Sequence, residues 1–437
     1  MFTALEKVAI VRAAQPAEGL FAEKEWLITP QPFEIDDQLF EQLEKLGHRL
    51  NLFNRACNEL YQRSVTGKQP PWIAEYLDRG KPPDLVEFSR RREFRNDVPL
   101  VIRPDLVLTP EGFTIAEVDS VPGGIGLTAW LNQTYAQFGT DDLIGGATGM
   151  IDGFRDIAPG ADILVSNESA TYRPEMAWLT RHTGQRVTSA ETFSLNGASR
   201  DQPAAVYRFF ENFDLANIPS VPSLMEAASR RELRVTPPLK PYLEEKMWFA
   251  FFWLRPLHEF WRRELGERHF FELQKHIPYT WILDPAPLPQ HAVIPSLEIQ
   301  SWEELKSFSQ KQRDLILKIS GFHETAWGSR SVVLGSDASH AEWQATVEGA
   351  LNDFDEHPHI LQRFHKGRIV EQPFLDPASG TIEVMRGRVR LCPYYFVLNG
   401  RAELRGALAT ICPPDKKLLH GMRDAILAPT SVRASPD

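Results

Sequence analysis

Val101-Ile-Arg-Pro-Asp-Leu-Val-Leu-Thr-Pro-Glu-Gly-Phe-Thr-Ile-Ala-Glu-Val-Asp119 decides the reading of this 437-residue chain. Its centre, Thr109-Pro-Glu-Gly112, suits a type I turn, with Pro fixing φ at the second position and Gly tolerating φ > 0 at the fourth. A three-residue hairpin loop with Gly112 as a bulge follows. It sets Thr109 opposite Phe113, Val107 opposite Ile115, Asp105 opposite Glu117 and Arg103 opposite Asp119. Side chains alternate along a strand, so Arg103, Asp105, Glu117 and Asp119 share one face. The reverse face carries Pro104, Leu106, Leu108, Ala116 and Val118. A strand apolar on both sides is normally covered on both. Three carboxylates and one guanidinium therefore converge in a half-buried place, where like charges destabilise a sheet and unpaired charge is costly. A hard cation resolves this, and Mg²⁺ takes one or two carboxylates together with substrate phosphates. The alternative is a surface hairpin in which Arg103 neutralises Asp119 and solvent takes the rest.

Composition excludes several classes. Hydrophobic residues make up 43% and charged residues 24%, as in ordinary globular proteins. The formal charge of −10 argues against nucleic acid or anionic membrane as the main partner. Cys57, Cys392 and Cys412 are far apart without metal spacing and read as reduced thiols in a cytoplasmic protein. The apolar run Met247–Leu254 is too short to span a bilayer and reads as a buried helix. No signal-peptide pattern opens the chain. Oligomeric state is unreadable.

Periodicity organises the remainder. Phe40, Leu43, Leu46, Leu50, Phe53 and Leu60 recur at helical spacing over 34–64. Residues 69–83 are Pro-rich and read as a loop. A helix is expected over about 127–138. Short strands at 162–165 and 204–210 flank a helix at 175–181 that ends at Gly184, which suggests a largely parallel sheet. Residues 243–265 read as a long helix, bent at Pro256. Strands are expected at 314–320 and 332–334 and a helix at 341–354. Antiparallel strands follow at 360–364, 368–372, 381–385, 388–392 and 394–398, with fraying from about Thr430. The domain reading is a helical region 1–84, the hairpin and helix 85–140, an α/β lobe 141–245, a nucleotide-binding region 246–430 and a tail 431–437.

Further candidates are individually weak. Lys318, on an apolar strand before a loop of small residues, can hold phosphates as a point charge, or can be a snorkelling strand lysine. Gly123-Gly-Ile-Gly126 before a helix can hold an anion at the helix N-terminus, or simply make a tight turn. Arg388, Arg390 and Arg405 suit phosphate, although each alone also suits a salt bridge. His323, His357 and His359 show no zinc spacing. No P-loop or dinucleotide fingerprint is present.

In this order the pieces resemble the circularly permuted ATP-grasp ligases, especially the synthetase domain of glutathionylspermidine synthase. The resemblance covers roughly residues 85–415. Its specific part is Arg103-Pro-Asp105 followed by Glu117-Val-Asp119, similar to the family's Arg-x-Asp and Glu-x-Asn. It implies an α/β (α+β) ATP-grasp-like fold in permuted order with an additional α/β lobe. It also implies Asp105, Glu117 and Asp119 as Mg²⁺ ligands and Arg103 as the catalytic residue stabilising the reacting acyl centre. Glu245-Lys246 looks like the family's Asn-Lys pair, and Lys318 like its second ATP lysine. Ile360-Leu-Gln-Arg-Phe364 is similar to the adenine-side strand, which places Gln362 and Arg363 at ATP. Glu168 and Tyr172 fall in the lobe where a substrate is expected. Asp119 replaces the family's Asn, and the loop after Lys318 is longer and lacks its Arg-Glu-Gly.

The implied activity is an ATP- and Mg²⁺-dependent ligase joining a small-molecule carboxylate to an amine through an acyl phosphate, releasing ADP and phosphate. The rivals are an ATP-grasp-like protein that binds nucleotide without catalysis, an ATP-dependent kinase, and a metal-dependent glycosyltransferase.

Overall fold

The computed structural model describes residues 2–17, 25–119, 121–139, 142–195, 199–328, 330–420 and 423–433. Ser120 of the hairpin-to-helix motif, Ser329 of the loop after Lys318, and the end of the expected tail lie outside them. The chain divides into two compact units. The first combines Met1–Leu52, Asp97–Pro238 and Lys366–Asp437, and the second combines Phe53–Asn96 and Leu239–His365.

In the first unit the hairpin strands Val101–Thr109 and Gly112–Asp119 form one edge of an eight-stranded sheet. Ile382–Leu398 pairs with Val101–Thr109, followed by Arg401–Cys412, Ile426–Val432 and Leu27–Ile28. Ile369–Leu375 and Phe33–Ile35 join off this path. A second sheet is parallel, in the order Arg186–Ser189, Asp162–Val165, Ala204–Phe209 and Leu233–Thr236. Helices Ile125–Ala136, Gly149–Ile157 and Arg173–Thr183 bury Leu131, Phe154 and Met176 in one core with Ile163, Val165, Tyr394 and Phe396. The expected strand–helix–strand pattern is therefore present, and Gly184 closes its helix at φ 72°.

The hairpin reaches the expected pairing of its charged residues by another route. Its loop has two residues, since Thr109 pairs directly with Gly112, and Leu106 pairs with Ile115 rather than Val107. Gly112 takes φ 139°, which only glycine adopts readily. A register shift at Asp105/Leu106 then inserts one extra residue, Ala116. The bulge offsets the shorter turn, so Asp105 still faces Glu117 and Arg103 still faces Asp119. Ile115 consequently leaves the charged face, and Thr114 takes its place beside Val107.

Other expectations need correction. Ile382–Leu398 is one 17-residue strand rather than several. Pro393 lies inside it, next to a bulge at Tyr394/Tyr395. Pairing with Val101–Thr109 is interrupted between Leu391 and Tyr395, where neither Pro104 nor Pro393 has an N–H to give. Residues 69–83 are not simply a loop: Trp72–Asp78 is a helix, and Pro83 begins the helix Pro83–Ser89. Proline suits a helix start, where the amide has no partner anyway. The expected long helix at 243–265 is broken into Met247–Trp253 and His258–Leu265 by a 3₁₀ turn at Arg255-Pro256-Leu257. Thr430 lies in the strand Ile426–Val432 and is not frayed.

The second unit carries an antiparallel sheet in the order Val333–Leu334, Leu315–Ile319, His359–Arg363 and Thr280–Ile282. One face buries Leu315, Leu317, Leu361 and Trp281 against Trp343 and Val347 of the helix His340–Asn352. Period-2 alternation sends Lys318, Gln362 and Thr280 to the opposite face.

Two glycine substitutions test this packing. A Cβ at Gly126 would meet the Glu175 backbone carbonyl at 2.3 Å, whereas nothing lies within 4 Å of one at Gly349 in the helix His340–Asn352. Gly126→Ala should lower stability by about 1–3 kcal/mol or more. Gly349→Ala should raise it by about 0.5–1 kcal/mol. Urea unfolding measures both, and equal effects would contradict the packing described.

Candidate functional site

The hairpin cluster is built around Asp105, which is 2% exposed. Arg103 lies 3.0 Å from its Oδ1, and Arg390, from the strand Ile382–Leu398, lies 3.0 Å from its Oδ2. The Cys392 thiol also donates to Oδ1, at 3.4 Å. Arg103 makes a second ion pair with Asp119 at 3.0 Å and donates to the Gly123 carbonyl at 3.2 Å. The other Asp119 oxygen accepts from the Val121 amide at 2.9 Å. Glu117 is half-buried, and its carboxylate has no hydrogen-bond partner among the described residues.

The electrostatics follow from burial and crowding. Burial raises the pKa of the Asp119 carboxyl, and neighbouring Glu117 and Asp105 add to the rise, against Arg103 and the Val121 amide. Burial works against the Arg103 charge, but Asp105 and Asp119 more than offset it and hold the guanidinium well above its ordinary value. Arg390 is likewise raised by Asp105 against the cost of burial. Burial and Asp105 push the Cys392 thiol up to about 12.

Two guanidiniums against three carboxylates leave one net negative charge. The second of them, Arg390, was expected at phosphate and instead spends its charge on Asp105. Arg388 donates to the Gly367 and Lys416 carbonyls, and Arg405 pairs with Glu403. All three thus have protein partners.

The glycine turn that could have held an anion is occupied by the protein itself. Gly124 takes φ 84° and precedes the helix Ile125–Ala136. The fully buried Glu175 accepts from the Gly124 and Leu127 amides at 2.8 and 3.0 Å. A carboxylate at a helix N-terminus satisfies its unpaired amides and its dipole. Nothing in the order of residues announces this cap, because Glu175 lies in the first turn of another helix.

Tyr172 joins the same neighbourhood. Its ring lies so close to Gly123 that a Cβ there would sit 2.4 Å from it. Burial, then Glu175, push its hydroxyl up to about 12, with Arg103 pulling the other way. Glu168 is exposed beyond the strand Asp162–Val165.

The nucleotide candidates lie in the second unit. Lys318 is buried, and its Nζ donates to Gln362 Oε1 at 3.1 Å. Gln362 in turn donates to the Thr280 hydroxyl at 3.2 Å. Arg363 lies on the other face, donating to the Ser296 carbonyl at 3.0 Å with its guanidinium 5.7 Å from the Trp281 ring centre. Lys246 donates to the Ala326 carbonyl at 2.7 Å, from the loop that follows Lys318. Glu245 is held by Lys81 and by the Ser320 hydroxyl, and Ser320 also binds the Met247 and Lys246 amides. Lys246 and the end of the Lys318 strand are thereby joined through one serine.

A divalent cation has a physical basis at the hairpin. The donors are hard oxygens, and the crowding that lifts Asp119 is what a cation relieves. Glu117 and Asp119 fit it as they stand. Asp105 fits once a guanidinium yields an oxygen.

No protein-family model matches the sequence, and no curated protein is similar to it. Among solved structures, the chain is similar to a glutathione synthetase like-effector from Globodera pallida in its apoform. The TM-score is 0.55 at 11% identity, over 98% of this chain and 97% of that one. The chain has a glutathione synthetase-like fold. A protein from Methylobacillus flagellatus with the provisional name gamma-glutamylcysteine synthetase aligns at TM-score 0.38 and 14% identity, over 84% of this chain and 89% of that one. No argument is taken from that alignment.

Asp105→Asn leaves Arg103 and Arg390 facing a neutral amide in a buried place. Removing one partner of a buried pair costs about 3–5 kcal/mol. Glu117→Gln, which breaks no ion pair, should cost about 1 kcal/mol or less. Equal urea midpoints for the two variants would contradict the central place given to Asp105.

Proposed function

We propose that this chain is an ATP- and Mg²⁺-dependent ligase that joins a carboxylate to an amine. The observation that carries the reading is the buried hairpin cluster, in which Arg103 stands between Asp105 and Asp119 with Glu117 opposite Asp105. Such a cluster suits chemistry that must gather several anions. Its glutathione synthetase-like fold supports the reading at the level of fold.

In this mechanism the substrate carboxylate attacks the γ-phosphorus of ATP, giving an acyl phosphate and ADP. The amine then attacks the acyl carbon, and phosphate leaves as the amide forms. Arg103 offsets the negative charge that develops on the tetrahedral oxygen. Glu117, Asp119 and Asp105 would hold Mg²⁺, which supplies neutralisation of phosphate charge when bound. Arg390 orients Asp105 through its ion pair. Lys246 and Lys318 serve as phosphate-binding charges, and Gln362 and the strand around it as the adenine side. Arg363, on the opposite face, is the weaker candidate. Tyr172, whose hydroxyl feels the Arg103 charge, and Glu168 are the substrate candidates.

A second reading is nucleotide binding without turnover. It is favoured by one observation, that guanidiniums engage both oxygens of Asp105. A kinase would share the ATP chemistry but leave a phosphorylated acceptor as its stable product.

Phosphorus NMR with MgATP and pooled amino acids, short peptides and polyamines decides between these readings. The ligase releases ADP and phosphate only when the pool is present. Glu117→Gln should slow that release on the order of a hundredfold while the fold persists. AMP and pyrophosphate as products would overturn the acyl-phosphate mechanism. Saturable MgATP binding without turnover would favour the second reading.

A further inference from the structure

Asp353, Glu356 and His357 each offer one ligand atom, and these atoms lie within 4.8 Å of one another. They follow the helix His340–Asn352, whose winding continues for one more turn. The Glu356 and His357 amides both donate to the Asp353 carbonyl, at 3.1 and 2.8 Å. Residues at i, i+3 and i+4 of such a turn share one side. Arg79 pairs with Asp355 in the same turn, at 2.6 Å.

The turn adjoins the loop that follows Lys318. Pro358 ends it, and the Pro358 carbonyl accepts from the Ser320 amide at 2.9 Å. Ile319 pairs with His359 across the sheet. Three residues past Ser320, the His323 ring meets His357 edge-on, with centroids 4.6 Å apart and planes at 68°. His323 is fixed by its own loop, because its Nδ1 accepts from the Thr325 amide at 3.1 Å. Spacing along the chain concealed this grouping: the donors come from one turn, and the neighbouring imidazole from a segment about thirty residues earlier.

We propose that Asp353, Glu356 and His357 bind a divalent transition metal of the Zn²⁺ class, closing the 353–357 turn on itself. Two carboxylates alone would suit Mg²⁺ or Ca²⁺, and the imidazole nitrogen shifts preference toward Zn²⁺ and its neighbours. Bond lengths of about 2.0–2.2 Å require the three donors to close in by side-chain rotation. A fourth position remains for water or another ligand. The site shares no residue with the hairpin carboxylates, which offer oxygen donors only, and it does not depend on the proposed ligase activity.

The test uses untagged full-length protein, stripped with a chelator and titrated with ZnCl₂ and CoCl₂ without nucleotide. One equivalent of Zn²⁺ should bind saturably, and Co²⁺ should give visible absorption bands that Zn²⁺ abolishes. His357→Ala and Asp353→Asn should each weaken Zn²⁺ at least tenfold. Glu356→Gln, at an exposed position, should weaken it too without loss of the fold by circular dichroism. No saturable binding, or unaltered affinity in His357→Ala and Glu356→Gln, would overturn the site.

Discussion

A carboxylate as buried as Asp105 is costly unless opposite charge is brought to it, and two guanidiniums are. This one requirement organises the charged face of the hairpin. Arg103 reaches Asp105 from its own strand and Asp119 from the partner strand. Arg390 reaches it from a strand nearly 300 residues away in sequence. The Cys392 thiol adds a neutral donor. Leaving either guanidinium without Asp105 would cost several kcal/mol, a large fraction of a domain's stability. The ion pairs therefore bind the hairpin to the central strand of its sheet, where two opposed prolines interrupt the backbone ladder.

The same logic explains the glycine turn beside the cluster. The helix Ile125–Ala136 needs partners for its first amides, and Glu175 supplies them from within the fold. Its carboxylate occupies the position an anionic ligand would take. Gly123 and Gly124 are small because Tyr172 and Tyr394 press against them, and Gly126 because the Glu175 backbone does. Close packing, not an anion, selects these glycines. The result is a rigid wall beside Arg103, and rigidity is what an electrostatic site requires.

In the second unit, polar groups are satisfied in chains: Lys318 to Gln362 to Thr280, and Lys81 to Glu245 to Ser320. Each places a lysine or its neighbour on a fixed strand end. Ser320 belongs both to the end of the Lys318 strand and to the amides of Lys246 and Met247. The Lys246 side chain then meets the carbonyl of Ala326 in the following loop. Lys318 and Lys246 each donate to a neutral oxygen, of Gln362 and Ala326 respectively.

Local pattern determined much of this protein. The turn residues and the alternation around them specified the hairpin and the pairing of Arg103 with Asp119 and Asp105 with Glu117. They did not reveal the route, because a two-residue turn with a bulge at Ala116 and a three-residue turn with its bulge at Gly112 give the same pairing of those residues. The strands at 162–165 and 204–209, their intervening helix and its glycine stop were legible because apolar periodicity is a local property. Arg390, Glu175 and the grouping of His323 with His357 were not legible. Each is decided by which distant strands become neighbours, and buried charge finds its partner across space rather than along the chain. Chemistry-bearing residue types could be named from the sequence, but which charges neutralise one another was settled only by the tertiary fold, because pairing energies depend on distance and burial.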